Sequence, residues 1–522
     1  MFKMSKAKLC LAVSALALAI VAGPLSAQAQ NVSQDEIKAL QAQINALQKQ
    51  LEDVKAAQAA AAAKAAAAPP AAPSKEAAVT PEGKGVVTIG KTKVTVGGFI
   101  EAATIYRNRN EVADVGSNFN TGIPFDITGA GKGSQNPLAN QAEFRETARQ
   151  SRITALAEVN PNANTKVSAY AEADFLGAAP TANSNESNSY NPRLRVGYAT
   201  VDLADCGLHV LAGQEWSLLT TNRVGIVPRQ ENIPLTIDAQ YVVGFNWTRN
   251  PQIRIVKDFD DQKIWAGLSV ESPQAILSGI SAPSFVNATN AGGSLFSSTN
   301  NYTSDIAPDI IGKIAFDPCW GHYEAFGIGR FFHDYVLPSA PKTATYGNNY
   351  ANGYGAGAGV ILPIVREKLD LQGNFMAGEG IGRYGSAQLP DFAFAPTGKI
   401  KALTGYSAMG GIVEHPTPTW DVYFYGGYEG VLRQNYTSST TSATATSIGY
   451  GDLDLYTGQE QTSNVWQVTA GFWKRIYQGG WGKVQVGLQD SVTSRTAFGN
   501  SVGIAQHAYE NIFMTSFRYY PL

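Results

Sequence analysis

Sixteen segments between residues 94 and 520 alternate apolar residues with polar or small ones, and this alternation constrains the fold more than any other feature. A period of two places successive side chains on opposite faces of a β-strand. The segments run for roughly 10 to 14 residues, about the length that strands of outer-membrane barrels require. The predicted strands are 94–106, 147–159, 164–176, 192–203, 207–217, 249–258, 262–271, 305–317, 320–333, 352–365, 367–379, 399–414, 419–430, 463–476, 481–493 and 508–520.

The connections between these strands fall into two classes that alternate along the chain. Short links such as Asn160-Pro-Asn-Ala163 follow the even-numbered strands, and Pro, Gly, Asn and Asp favour tight turns. Long links rich in Asn, Ser, Thr and Gly follow the odd-numbered strands, as at 107–146, 272–304 and 431–462. Outer-membrane barrels have short turns at one end and long loops at the other, whereas a soluble β-sandwich or propeller does not require short and long connections to alternate. The sequence therefore predicts an all-β fold, a 16-stranded antiparallel transmembrane β-barrel over residues 86–522.

The N-terminus, residues 1–29, resembles a secretory signal peptide. Lys3, Lys6 and Lys8 precede an apolar run at 9–21, and Ala27-Gln28-Ala29 is a suitable cleavage site. An uncleaved membrane anchor is the alternative. After residue 30 no apolar run approaches the ~18 residues of a membrane helix, so an exported chain of this kind would enter a membrane with β-strands.

Residues 30–56 predict a short α-helical coiled coil. A capping box at Ser33-Gln-Asp-Glu36 begins the helix. The alternative interpretation of the segment is a single amphipathic helix that does not associate with other helices. Residues 57–85 form an Ala/Pro-rich linker between this helix and the barrel. Because the helix precedes the first strand on the short-turn side, we expect it in the periplasm. The heptad positions are occupied by Ile37, Leu40, Ile44, Leu47, Leu51 and Val54.

The segment 217–248 is a long polar connection between two predicted strands. It carries Arg223, Arg229, Glu231 and Asp238. A loop of roughly 30 residues in a compact domain is usually functional. We expect this loop to fold into the barrel and narrow the pore.

Arginines on the predicted inner faces of the strands form the candidate pore constriction. The alternation turns Arg193 and Arg195 inward and Leu194, Val196 and Tyr198 outward. A planar guanidinium binds carboxylate or phosphate bidentately, and rings of Arg in a pore select anions. The predicted constriction residues are Arg152, Arg193, Arg195, Arg223, Arg229 and Arg254. Alternatively, these arginines brace the wall through Glu158, Glu172, Asp174, Glu231 and Asp238.

Other chemistry is sparse. The net charge of −2 gives no indication of nucleic-acid binding, and no catalytic motif, metal site or cofactor site is predicted, so the chain is not expected to be an enzyme. Cys206 and Cys319 fall in turns four strands apart and are expected to remain free thiols. Aromatic residues are expected to form girdles at the membrane interfaces, for example Tyr423, Tyr425, Trp473 and Trp481.

The combination of signal, coiled coil, linker and barrel resembles the DcaP-like trimeric porins of Gram-negative bacteria. The resemblance covers the coiled coil and about the first half of the barrel. It is carried by Ala169-Tyr-Ala-Glu-Ala-Asp-Phe175, Arg193-Leu-Arg195, Leu211-Ala-Gly-Gln-Glu-Trp-Ser217 and Arg249-Asn-Pro-Gln-Ile-Arg254. It implies a trimeric barrel of sixteen strands that passes small anionic solutes, dicarboxylates among them, through an arginine-bearing constriction. The C-terminal residues, Phe517-Arg-Tyr-Tyr-Pro-Leu522, depart from the terminal Phe of many barrels.

Together these observations predict a porin of the outer membrane for passive diffusion of small hydrophilic solutes, with a preference for anions. Its expected partners are outer-membrane lipid, lipopolysaccharide, two further copies in a homotrimer and, through the coiled coil, peptidoglycan. Two alternatives remain: a phosphate-selective porin, and a structural tether between outer membrane and cell wall. Deletion of residues 33–79 distinguishes the tether from the porins. If the envelope detaches while the purified protein conducts normally, tethering is the main role.

Overall fold

The computed structural model describes the barrel and parts of its loops. The predicted signal peptide lies outside the described residues, and so does nearly all of the coiled coil and the linker. By its contacts the chain divides into two units, Met1–Pro81 with Thr88–Gly90, and Glu82–Val87 with Lys91–Leu522. No helix among the described residues is long and apolar enough to cross a membrane. The described residues are 49, 79–83, 85–113, 122–126, 136–177, 191–238, 240–277, 286, 304–338, 346–437, 447–451, 461–498 and 506–521.

Sixteen strands form one closed antiparallel barrel, which confirms the predicted fold class and strand number. The last strand pairs with the first, for example through Thr515 and Thr104, and this pairing closes the barrel. The strands are β1 (Thr92–Arg107), β2 (Arg152–Asn162), β3 (Thr165–Gly177), β4 (Asn191–Leu203), β5 (Leu208–Trp216), β6 (Arg249–Phe259), β7 (Ile264–Glu271), β8 (Asp309–Phe316), β9 (His322–Val336), β10 (Gly347–Val365), β11 (Leu369–Glu379), β12 (Thr404–Thr417), β13 (Trp420–Val431), β14 (Thr462–Gly479), β15 (Gly482–Ala497) and β16 (His507–Tyr520).

The remaining elements are short and lie outside the sixteen barrel strands. Glu143–Thr147 pairs with the end of β1 that β2 leaves unpaired. Two small hairpins lie in the long loops: Phe392–Phe394 pairs with Ile400–Ala402, and Gln434–Thr437 with Ser447–Tyr450. The other strands are Val79–Gly83 and Val86–Ile89, and the 3₁₀ helices are Pro137–Asn140, Ala204–Cys206 and Gly382–Tyr384.

The connections alternate between short and long, as predicted. Links after even-numbered strands are tight, and one of them needs a glycine: Gly207 has φ 54°, and a Cβ there would lie 2.1 Å from an oxygen of Asp258. The short links are 163–164, 204–207, 260–263, 317–321, 366–368, 418–419 and 480–481, and the long links are 108–151, 178–190, 217–248, 272–308, 337–346, 380–403, 432–461 and 498–506.

A β-bulge in β4 changes which residues face the interior. Glu172 pairs with Val196 and Ala173 pairs with Leu194, so that Arg195 is an extra residue on its strand. An extra residue shifts the alternation beyond it by one position. Leu194 faces outward as predicted, but Val196 and Tyr198 are 2% and 5% exposed and belong to the interior core, so their predicted outward orientation is wrong.

Three aromatic residues that we assigned to the membrane interfaces lie inside the barrel instead. Tyr423, Tyr425 and Trp473 are at most 3% exposed, because the alternation of their strands turns them toward loop 217–248. That loop provides the apolar surface and the hydrogen-bond partners that these side chains need in the interior. Trp481 agrees with the girdle prediction, being 80% exposed at a short turn.

Candidate pore constriction

Loop 217–248 lies inside the barrel and crosses to the opposite wall, as predicted from its length. The backbone N–H of Ile237 donates to Oε1 of Gln489 on β15 at 2.7 Å. Leu235 is held from two sides: its N–H donates to the Tyr425 hydroxyl at 3.3 Å, and its carbonyl accepts from Nε1 of Trp473 at 2.7 Å. Because these partners lie on β13–β15, the loop spans the interior from β5 to the far side.

A second loop, 380–403, also fills the interior, and the sequence analysis missed it. Its apolar residues, including Ile381, Leu389 and Phe392, are buried. It packs on the first loop: the N–H of Trp247 donates to the carbonyl of Tyr384 at 2.8 Å. The run Phe392-Ala-Phe-Ala395 was a usable signal, because four apolar residues in a row do not suit a solvated loop.

One carboxylate on β13 binds both loops. Glu429 accepts hydrogen bonds from the N–H of Gly244 in loop 217–248 at 2.6 Å and from that of Ala387 in loop 380–403 at 3.1 Å. Gly385 makes this approach possible, since a Cβ there would lie 2.0 Å from Oε2 of Glu429. The two loops therefore share one attachment point on the wall.

An arginine cluster lies on β2, β4 and the first residue of β6, beside loop 217–248; we define it as Arg152, Arg193, Arg195 and Arg249. Three of its members were predicted, and the structure brings these three together around two carboxylates. Arg193 lies 2.7 Å from Asp174, Arg195 lies 2.6 Å from Glu172 and 2.8 Å from Asp174, and Arg152 lies 3.5 Å from Glu172. These contacts correspond to the wall-bracing alternative. They also fix the guanidiniums at one place on the wall.

Arg249 is the member of the arginine cluster that the sequence analysis missed. Its guanidinium lies between the rings of Trp216 and Trp247, 4.9 and 5.0 Å from their centroids. No carboxylate among the described residues lies within ion-pair distance of it, and its Nη1 has no hydrogen-bond partner there. Strict alternation along β6 groups Arg249 with outward-facing Ile253, which explains why the pattern did not reveal it.

The hydroxyl of Tyr241 connects loop 217–248 to the arginine cluster. It accepts a hydrogen bond from Nη2 of Arg195 at 3.1 Å. Burial alone would raise the pKa of this phenol, but the guanidiniums of Arg195, Arg249 and Arg152 outweigh burial and lower it. The three guanidiniums therefore create a positive potential at this point of the loop.

The other three predicted arginines lie apart from the cluster. Arg254 is buried and donates to Oε1 of Gln252 and to the carbonyl of Trp216, so it does not face open space. Arg229 is exposed on the loop, has φ 66°, and donates to the hydroxyl of Tyr198 at 3.3 Å. Arg223 is also exposed and lines a cavity of about 510 Å³ near the short turns, together with Asp370 and His415.

Carboxyl groups of the loop are shielded from water. Burial raises the pKa of Asp238 to about 7, although the N–H of Gln240 donates to it at 2.8 Å. Burial also raises the pKa of Glu231. Asp238 lines a cavity of about 110 Å³ together with Arg152, Arg195 and Arg518, another inner-wall arginine that we did not predict. Arg518 is paired with Glu101 at 3.0 Å.

The closed sixteen-stranded barrel with an inward-folded loop defines a porin-type fold, and a solved channel structure shares it. The outer-membrane channel DcaP of Acinetobacter baumannii aligns over 83% of this chain and 99% of its own, with 15% identity and a TM-score of 0.56. This likeness confirms, for the fold, the resemblance to DcaP-like porins. An anion-selective porin from Comamonas acidovorans and OprB of Pseudomonas putida align over 82% and 81% of this chain and 99% and 94% of theirs, each with 9% identity and a TM-score of 0.44. No family model and no curated protein sequence matches the chain.

Proposed function

We propose that this chain is an outer-membrane porin through which small hydrophilic solutes diffuse passively, with a preference for anions. The observation that carries the proposal is the charge imbalance beside loop 217–248. Three of the four guanidiniums of the arginine cluster contact two carboxylates, those of Glu172 and Asp174, and the fourth, Arg249, contacts neither. A net positive charge in a confined, low-dielectric passage attracts anions and repels cations.

The composition of the arginine cluster also suits the proposed solute class. Arg195 and Asp174 hold each other in a fixed geometry, so that the cluster is preorganised and loses little side-chain entropy when an anion approaches. Arg249 has no carboxylate partner among the described residues, so its positive charge is not compensated locally and attracts an anion nearby. Small carboxylates, dicarboxylates among them, fit these requirements.

The cellular setting belongs to the same proposal. A signal peptide at residues 1–29 would export the chain, and a barrel of sixteen strands would place it in the outer membrane with lipid and lipopolysaccharide around it. The predicted coiled coil would extend into the periplasm, where peptidoglycan lies. The resemblance to DcaP-like porins supports a homotrimer.

Reversal potentials of single channels in planar bilayers under a salt gradient test the ion preference. We expect anion selectivity in the wild type and weaker anion selectivity in Arg249→Gln, because that variant removes a positive charge without leaving a carboxylate unpaired. The paired arginine is tested by the neutral double variant Arg195→Gln with Asp174→Asn, which should change selectivity less. Arg366→Gln, in a short turn, is the matched control. Cation selectivity of the wild type would refute the anion assignment.

A further inference from the structure

A cavity of about 510 Å³ lies inside the barrel near the short turns, and we call it the vestibule. Loop 217–248 borders it on one side, and inward-facing residues of β9–β14 border it on the other. On β11 the alternation turns Asp370 and Gln372 inward and leaves Leu371, which is 42% exposed, outward. The vestibule adjoins the cavity beside the arginine cluster, because Ile233 lines both. A cavity of this volume is large enough to hold a small organic solute.

Most charged groups of the vestibule are paired within the wall. Asp421 lies 2.5 Å from Arg475 and 2.6 Å from His415. Asp317 lies 2.7 Å from His322. Because these groups satisfy one another, they give the vestibule a fixed polar wall and leave little hydrogen-bonding capacity for a solute.

Two charged groups of opposite sign are left over, the guanidinium of Arg223 and the carboxylate of Asp370. Among the described residues, neither group has an ion-pair or hydrogen-bond partner, and the two groups do not come within ion-pair distance of each other. Arg223 is exposed and Asp370 is half-buried, so a solute in the vestibule can reach both. The vestibule therefore offers one unpaired cation and one unpaired anion, whereas the arginine cluster has an excess of positive charge.

The surroundings of Asp370 suit an ammonium group. Gln372 is the next inward residue on β11, and its Oε1 accepts a hydrogen bond from Nδ2 of Asn232 at 3.1 Å. This oxygen has a second lone pair, so that it and the carboxylate together can accept the hydrogen bonds that an ammonium donates. The planar guanidinium of Arg223 suits a carboxylate instead. The apolar side chain of Val413 borders the same space and can contact a short carbon chain.

A plain dicarboxylate does not match this pair of charges. One of its carboxylates can bind Arg223, but the other meets the like charge of Asp370. An amino acid presents a carboxylate and an ammonium, and so it can satisfy both residues. The net negative charge that the arginine cluster favours then requires a second carboxylate on the amino acid.

We propose that the vestibule is a binding site for acidic α-amino acids, with the ammonium at Asp370 and a carboxylate at Arg223. The inference rests on the proposed function and deepens it, since it names the solute class for a channel that favours anions. Among anions with the same carbon chain, the vestibule distinguishes those that carry an ammonium from those that do not.

The test compares L-glutamate with glutarate, which has the same carbon chain and two carboxylates but lacks the ammonium. Fluctuations of the single-channel current in planar bilayers measure the dissociation constant of each solute. We expect the wild type to bind L-glutamate roughly fivefold or more tightly than glutarate, and Asp370→Asn to lose this preference. Asp261→Asn, an exposed carboxylate in a short turn outside the vestibule, is the matched control and should keep it. If the wild type binds glutarate as tightly as L-glutamate, or if Asp370→Asn keeps the preference, the proposal is overturned.

A second measurement needs neither a variant that folds nor a channel that conducts. Isothermal titration of the purified wild type in detergent compares L-glutamate with N-acetyl-L-glutamate, in which a neutral amide replaces the ammonium. We expect acetylation to weaken binding by the same factor as the loss of the ammonium in glutarate, whereas equal binding contradicts the proposal. Anion selectivity without a preference for L-glutamate refutes only the vestibule site, and L-glutamate binding by a cation-selective channel refutes only the anion assignment.

Discussion

Two loops enter the barrel, and they differ in what they bring into it. Loop 217–248 brings charged groups such as Arg229 and Asp238 as well as apolar residues, and its Tyr241 contacts the arginine cluster. Loop 380–403 brings apolar side chains such as Phe392 and Leu389, which pack against the wall and against the first loop. We therefore expect the first loop to influence the chemistry of the passage, and the second to influence how much of the interior remains open.

The attachments of the two loops differ as well. Loop 217–248 is bound to the far wall mainly by neutral acceptors such as Gln489 and Tyr425. Loop 380–403 is bound by charge: Asp391 lies 2.8 Å from the buried Arg330, which also lies 3.2 Å from Asp309. A comparison of variants in the two loops should therefore separate the size of the pore from its selectivity.

The largest effect is expected when the charged attachment of loop 380–403 is removed. Arg330→Ala leaves Asp309 and Asp391 buried without their cation, which should cost roughly 3–5 kcal/mol of stability. The loosened loop should raise single-channel conductance, while the anion-to-cation permeability ratio stays near that of the wild type. Thermal unfolding and planar-bilayer recordings measure the two effects.

A neutral replacement of the same charges is the control for this variant. Arg330→Met combined with Asp309→Asn and Asp391→Asn removes the charges without leaving a carboxylate unpaired, so it should lose much less stability. If Arg330→Ala changes selectivity as much as Arg249→Gln does, the proposed division of roles between the loops is wrong.

The inward folding of loop 217–248 was predicted from the sequence and that of loop 380–403 was not, and this difference has a physical cause. Loop 217–248 was predictable because a long polar segment cannot be a strand and interrupts the alternation clearly. The end of loop 380–403 was assigned to a strand at 399–414, because residues 400–402 do form a short strand, although it belongs to a hairpin inside the loop. Burial of a loop depends on tertiary packing, which the local pattern does not encode.

The candidate site was predictable to the extent that strict alternation holds. Strict alternation correctly predicted that Arg193 and Arg195 face inward, because Arg193 precedes the bulge in β4 and Arg195 forms it. Strict alternation gave Tyr198, which follows the bulge, the wrong orientation. It also missed Arg249, the first residue of β6, which directly follows loop 217–248. Carboxylates were recognised as possible partners, but distances had to show that Glu172 and Asp174 pair with the arginines and that Glu231 and Asp238 do not.

A smaller effect is expected from the titration of the polar loop. The pKa of Asp238 in the folded protein, about 7, exceeds its unfolded value of about 3.9, so the folded state holds the proton more tightly. The contribution of Asp238 to stability should therefore be complete below about pH 4 and should fall as the pH rises toward 7, by roughly 1 kcal/mol between pH 6 and 7. Melting temperatures of the wild type and Asp238→Asn from pH 5 to 8 measure this loss. Parallel pH profiles of the two proteins would show that Asp238 is not the cause.

The smallest effect is expected from Arg229, although it lies on the same loop. Its guanidinium is exposed and donates one hydrogen bond of 3.3 Å to Tyr198, so that water and salt screen its charge. Arg229→Gln should weaken anion selectivity, as Arg249→Gln does, but by a clearly smaller amount, and the effect should shrink further at high salt. A shift as large as that of Arg249→Gln would mean that solutes pass close to Arg229, and it would move the narrowest charged part of the path from the wall to the loop.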